Sequence, residues 1–101
     1  MVKISGVIIT FNEEKKIEQC LKSLLTVCDE IVVLDSLSTD KTEEICSRYA
    51  VKFVKQKFLG YIEQKNHALT FASNNLVLSL DADECLSETL QKSIEQIKNN
   101  H

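Results

Sequence analysis

Two hydrophobic rhythms alternate along the chain. Short, nearly continuous apolar runs mark buried strands, and apolar residues three or four apart mark the helices between them. The first run, Lys3 to Thr10, holds Val7-Ile8-Ile9. Ile17, Cys20, Leu21, Leu24 and Cys28 then recur at helical spacing. Asn12 is placed to cap that helix, and Glu13 and Glu14 suit the positive end of its dipole. Ile31 to Leu34 is a second buried strand and stops at Asp35. Asp40 and Glu43 are spaced as a capping box before a helix whose apolar side is Thr42, Ile45, Cys46 and Tyr49. In Val51 to Val54, lysines at 52 and 55 alternate with apolar positions, the pattern of an edge strand. Tyr61 to Ser73 reads as a helix with Ile62, Leu69 and Ala72 inward, and Leu76 to Leu80 as a strand buried on both faces in the middle of a sheet. Ser87 caps a last helix with Leu90, Ile94 and Ile97 along one side. This βαβαβαβα order predicts a three-layer α/β/α fold around a mainly parallel sheet.

The 101 residues, 44% hydrophobic and 27% charged, make one domain, residues 1–101, or part of one. A net charge of −3 with no basic tract speaks against nucleic acid or an anionic membrane as a partner. No apolar run approaches the roughly 20 residues of a membrane span, and no signal peptide is legible. Cys20, Cys28, Cys46 and Cys85 lack the Cys-x-x-Cys spacing of a zinc site or redox pair. Buried free thiols, compatible with a reducing cytosol, are expected.

Residues with chemical potential follow the strand ends: Thr10, Asn12 and Glu13, then Asp35 to Asp40, then Asp81, Asp83 and Glu84. Loops at the carboxyl edge of a parallel sheet converge on one crevice. In an extended chain Asp81 and Asp83 face the same way with Cα atoms roughly 6.5 Å apart. Either one binds an ion directly and the other through water, or the chain turns there. Their hard oxygen donors suit Mg²⁺ or Mn²⁺, which keep waters and substrate phosphates as further ligands. The same residues would also serve as a solvated turn. A dinucleotide site wants a glycine-rich first turn, which Thr10-Phe11-Asn12-Glu13 lacks. A receiver-like signalling domain wants an acidic pair directly after the first strand, where Thr10-Phe11-Asn12 stands. The third candidate is a metal-bound nucleoside diphosphate, whose ion would stabilise the leaving group.

Four segments, Val7 to Glu14, Asp29 to Asp40, Gln64 to Leu69 and Leu80 to Glu84, resemble the inverting family-2 glycosyltransferases of the GT-A fold. Within that family they look most like the bacterial lipopolysaccharide core glucosyltransferase branch. The resemblance runs from Ile4 to Ile97, and the sheet order expected is 3-2-1-4. It implies a UDP-sugar donor, with Thr10, Asn12 and Glu13 by the nucleoside, Asp35 by the uracil and Lys65 near the diphosphate. Asp81 would lie by the ribose or metal, and Asp83 would bind the metal. Ser36 and Ala82 complete the expected nucleotide-sugar set, although Asp35-Ser36-Leu37-Ser38 departs from the common Asp-Asp-Gly-Ser. His67 is expected on the helix surface.

The parent enzyme would transfer a sugar, glucose in the leading reading, to a saccharide acceptor such as lipopolysaccharide core. It would work in the cytoplasm, at the inner face of the membrane. Family members continue well past this length and carry a carboxylate general base. Nothing after Glu84 offers one, since Glu88 and Glu95 fall on the last helix. The chain is therefore expected to be the donor-binding half, excised or truncated, and inactive in transfer. A nucleotide-binding module without catalysis is the alternative.

Overall fold

The structure, a computed structural model, describes residues 2–99. Four strands, β1 (Ile4–Thr10), β2 (Glu30–Asp35), β3 (Lys52–Lys55) and β4 (Leu76–Asp81), form an all-parallel sheet in the order β3-β2-β1-β4. The helices are α1 (Ile17–Leu25), α2 (Thr42–Cys46), α3 (Tyr61–Leu69) and α4 (Glu88–Asn99). Because side chains alternate across a strand, β1 and β2 feed two cores. On one face Ile4, Ile8, Ile31 and Val33 pack with Leu21, Leu24, Cys46 and Ile94. On the other, Val7, Val32 and Leu34 pack with Ala68 of α3. The result is the expected three-layer α/β/α arrangement with strand order 3-2-1-4.

Register decides where the chemistry goes. Thr10 of β1 lies beside Asp35 of β2, and Ile9 lies beside Asp81 of β4. Parallel pairing therefore brings the ends of β1, β2 and β4 to one edge. The opposite edge is fastened by Glu30, whose carboxylate accepts from Ser5 Oγ at 2.7 Å and from the Ser73 N–H at 2.8 Å. These bonds hold the Glu30 carboxyl below its ordinary value, the Ser5 bond foremost.

Several local expectations are corrected. Helix α1 starts at Ile17, not after Asn12, and has no side-chain cap. The capping box expected of Asp40 and Glu43 does not form: α2 has Lys41 at its N-cap with no side-chain cap, Asp40 one residue earlier accepts from the Thr42 N–H at 2.9 Å, and Glu43 pairs with Lys55 at 2.8 Å. Ser87 Oγ accepts from the Leu90 N–H at 3.1 Å and starts the last helix as read. β4 is an edge strand, and Leu76 is half exposed. In α3 the inward residues are Gln64 and Ala68, while Ile62 and Leu69 face outward. The small Ala68 lets α3 approach the sheet, and the Gln64 amide bonds to the loops beneath it. Of the stripe expected on α4, only Ile94 is buried.

Candidate functional site

At the carboxyl edge of the sheet the four loops enclose a cavity of about 520 Å³, within the range of small-molecule sites. Its polar lining is Thr10, Ser36 and Gln64, its carboxylates are Glu13, Asp81 and Asp83, and its aromatic walls are Phe11, Phe58 and Tyr61. Of the residues expected here, Thr10, Glu13, Ser36, Asp81, Ala82 and Asp83 line the cavity, whereas Asn12, Asp35 and Lys65 stand behind or beside it.

Thr10 Oγ1 is buried and has no hydrogen-bond partner among the described residues. Thr10 is also one of the residues that line the cavity. Asp35 is almost wholly buried, and Ser38 occupies both its oxygens. The Ser38 N–H donates to Oδ2 at 2.8 Å and the Ser38 hydroxyl to Oδ1 at 2.5 Å.

Asn12 has φ 50°, a left-handed conformation that asparagine tolerates better than most residues. The turn aims its amide oxygen across the gap, where it accepts from the N–H groups of Thr39 at 2.8 Å and Asp40 at 3.3 Å. Its own N–H donates to Ser38 Oγ at 2.8 Å. Beside it the Glu13 N–H donates to Thr42 Oγ1 at 2.9 Å and the Glu14 N–H to Asp40 Oδ2 at 3.1 Å. The loops after β1 and β2 are thus one clamped unit. Burial pushes the Asp40 carboxyl up, but hydrogen bonds from Thr42 and Glu14 outweigh it and hold the group below its ordinary value.

Gln64 is fully buried. Its Nε2 donates to Ser36 Oγ at 3.1 Å, and its Oε1 accepts from the Leu59 N–H at 3.2 Å. It joins the loop after β3 to the end of β2. Sequence reasoning missed this role, as it missed Phe58 and Tyr61. The signal was a polar residue four before Ala68, at the inward spacing of a helix, after a loop punctuated by Gly60.

The chain turns after β4. The Glu84 N–H donates to the Asp81 carbonyl at 2.9 Å, and Glu84 Oε1 accepts from the Asp81 N–H at 2.8 Å. Asp81 and Asp83 remain exposed at the cavity, and Lys65 Nζ stands 3.8 Å from Asp81 Oδ1. No group of three or more His, Cys, Asp or Glu side chains able to hold a metal exists among the described residues. Two exposed carboxylates fit a hard cation that takes its remaining ligands from water and phosphate oxygens. They do not fit one caged by protein alone. The cysteines are free; burial pushes the Cys20 and Cys46 thiols to about 12, which leaves them protonated packing groups.

A parallel α/β sheet with a carboxylate-edged cavity at its carboxyl ends, in this strand order, is the nucleotide-binding architecture of GT-A glycosyltransferases. The sequence profile of "Glycosyl transferase family 2" matches residues 5–101, and the chain belongs to that family. The membership leaves the receiver-like alternative without support. An uncharacterized glycosyltransferase of Rickettsia bellii is 46% identical over 95 residues, 94% of this chain and 32% of that protein. The lipopolysaccharide core biosynthesis glycosyltransferase LpsC of Rhizobium meliloti is 34% identical, over 93% of this chain and 36% of its own length. Among solved structures, S. aureus TarS in complex with UDP superposes with a TM-score of 0.76 at 31% identity, covering 99% of this chain and 33% of that one. Mycobacterium tuberculosis glucosyl-3-phosphoglycerate synthase with Mn²⁺, UDP and glucosyl-3-phosphoglycerate superposes at 0.71 and 29% identity, over 80% of this chain and 33% of that one. The chain spans about a third of the length of the curated relatives it matches.

Proposed function

We propose that this chain binds the UDP moiety of a UDP-sugar together with Mg²⁺ or Mn²⁺. The observation that carries the reading is the cavity itself, which Thr10, Ser36, Asp81 and Asp83 line together from the carboxyl ends of three strands. Asp83 and Asp81 would hold the ion, which supplies charge neutralisation of the diphosphate leaving group. Lys65 would turn from Asp81 toward the phosphates. Asp35, buried and anchored by Ser38, would support the base-binding wall from behind. Asn12 and Glu13 would keep the first loop in place around the nucleoside, with Ala82 closing the cavity beside the ribose.

In the whole protein the reaction would be inverting transfer of a sugar, glucose as the leading candidate, to a saccharide acceptor. The match to LpsC, a lipopolysaccharide core biosynthesis glycosyltransferase, supports an acceptor of the lipopolysaccharide-core kind. The donor reading is tested by titration calorimetry of the 101-residue chain with UDP and ADP, each with and without Mn²⁺. UDP binding strengthened by Mn²⁺ and stronger than ADP binding is expected. Absence of UDP binding, or equal affinity for both nucleotides, overturns it.

A further inference from the structure

The hydrogen bonds through Gln64 run in one direction. The Leu59 N–H donates to Gln64 Oε1 at 3.2 Å, and Gln64 Nε2 donates to Ser36 Oγ at 3.1 Å. A backbone N–H can only donate, so the atom it meets is the amide oxygen and the atom at Ser36 is the amide nitrogen. Gln64 is fully buried, so solvent does not compete for these partners. The amide therefore offers Ser36 a donor and withholds its acceptor. The Ser36 hydroxyl proton has to go elsewhere.

The end of β2 offers it nothing. Among the described residues Ser36 Oγ makes the Gln64 bond and no other. The Asp35 carboxylate is taken by Ser38, and the Asp35 carbonyl accepts from the Gln56 N–H at 2.8 Å. The Ser36 N–H is itself spent on the Thr10 carbonyl at 2.9 Å. Ser36 is half-buried and lines the cavity. Its hydroxyl is the donor left over on this side of it.

Strand order says which part of a ligand lies there. Ser36 follows β2, Asp81 ends β4, and β1 runs between them. Neighbouring strands are about 4.8 Å apart, so the two sides of the cavity are separated by roughly 10 Å. A nucleotide whose diphosphate meets the carboxylates beside β4 therefore extends its base toward β2.

We infer that the Ser36 hydroxyl donates to the C4 carbonyl oxygen of uracil, and that Gln64 is the positioning residue that makes the site select uracil over cytosine. At that position cytosine carries an amino donor in place of the carbonyl acceptor. A hydroxyl that accepted from this amino group would leave its own proton unpaired, because Gln64 presents nitrogen and not oxygen. An unpaired polar group is costly where water is excluded. The inference rests on the UDP reading above and deepens it. It gives the reading of the base to a hydroxyl in front of the buried Asp35.

The test is calorimetric titration of the full chain with UDP and with CDP, each in Mn²⁺ at pH 8. The parent should prefer UDP at least about tenfold. Ser36→Ala should reduce the preference to about threefold or less, chiefly by weakening UDP. Gln64→Glu puts a carboxylate oxygen beside Ser36 Oγ, takes up the hydroxyl proton and turns a lone pair toward the base. The preference should then shrink or reverse, with CDP gaining on UDP. The ratio of the two affinities cancels what a loosened loop or an added charge does to both nucleotides alike. If Gln64→Glu fails to fold, Ser36→Ala still decides the assignment. A parent that binds neither nucleotide overturns the UDP reading and this inference together. A parent that binds UDP no better than CDP overturns the inference alone, as does a Ser36→Ala variant that weakens both equally or neither. A Gln64→Glu variant that folds and keeps the parent preference removes Gln64 from the role.

Discussion

The ammonium nitrogen of Lys65 lies 3.8 Å from Oδ1 of Asp81, with each side chain about half exposed. An ion pair so open to water contributes about 0–1 kcal/mol, so it is easily exchanged for a better partner. Two partners suit the two groups separately: a divalent cation for Asp81 and a diphosphate for Lys65. Lys65→Met should therefore act with opposite signs. Mn²⁺ binding without nucleotide should tighten about two- to fivefold, and UDP binding in the presence of Mn²⁺ should weaken about tenfold. Calorimetric titrations of both ligands read the two effects, and changes of the same sign would remove Lys65 from the phosphate role.

Asp83→Asn keeps the size of the side chain and removes the charge that a hard cation needs. UDP binding in Mn²⁺ should fall by at least about tenfold, or roughly 1.4 kcal/mol, while UDP binding without metal stays unchanged. Because Asp83 is exposed, its thermal unfolding should match that of the parent. Unchanged Mn²⁺-dependent affinity would assign the ion elsewhere.

Gln64→Leu tests the joint between the loop after β3 and the end of β2. The leucine fills the volume but leaves the Leu59 N–H without its acceptor and Ser36 Oγ without its donor. Buried groups stripped of a partner cost about 1–3 kcal/mol each, so urea unfolding should show a loss of that order. Ser36→Ala removes only one of the two bonds and should cost less. Equal costs for the two variants would mean that the Leu59 contact contributes nothing.

The Asn12 clamp predicts a separation between two substitutions. Asn12→Ala loses both amide acceptor bonds and strains a left-handed residue, whereas Asn12→Gly loses the bonds alone. Both should weaken UDP binding by loosening the paired loops, and alanine should destabilise the fold more than glycine by up to about 1 kcal/mol. Denaturant midpoints compared with UDP affinities give the answer. Full UDP affinity in both variants would show that the loops keep their places without the clamp.

Acid should open the same clamp. The Asp40 and Asp29 carboxyls are held below their ordinary value of 3.8, Asp40 by Thr42 and Glu14 against the pull of burial, and Asp29 chiefly by Lys98 and then the Ile4 N–H. The unfolded chain then takes up protons before the folded one as pH falls. Their stabilisation is whole above 3.8 and drains away as pH drops through that value to the lower folded ones. Thermal midpoints followed from neutral pH downward should fall in that window, and Asp40→Ala should show a shallower fall. A midpoint insensitive to acid would contradict the assigned bonds.

The order of elements was legible because apolar runs and helical spacing report burial directly. The convergence of Thr10, Asp35 and Asp81 was legible because parallel strands must end at a common edge. Orientation was harder to read. Leu76-Val77-Leu78-Ser79-Leu80 looks like an interior strand, yet apolar composition does not reveal which neighbours a strand has. Ile62 and Leu69 outweigh Gln64 on any hydrophobic count, although the buried position belongs to the residue whose amide closes two hydrogen bonds. Asn12 fits a helix cap by type. Its role across 26 to 28 residues, to Ser38, Thr39 and Asp40, has no local signature.

The strand order has a consequence in time. β1 meets β2 as soon as one helix and its loops have been made, but it meets β4 only after α2, β3 and α3 have followed. Closing the shorter loop costs less chain entropy, and synthesis delivers it first. The β1–β2 half of the cavity, with Thr10 beside Asp35 and Asn12 clamped to Ser38 and Thr39, can therefore assemble before β4 brings Asp81 into register with Ile9.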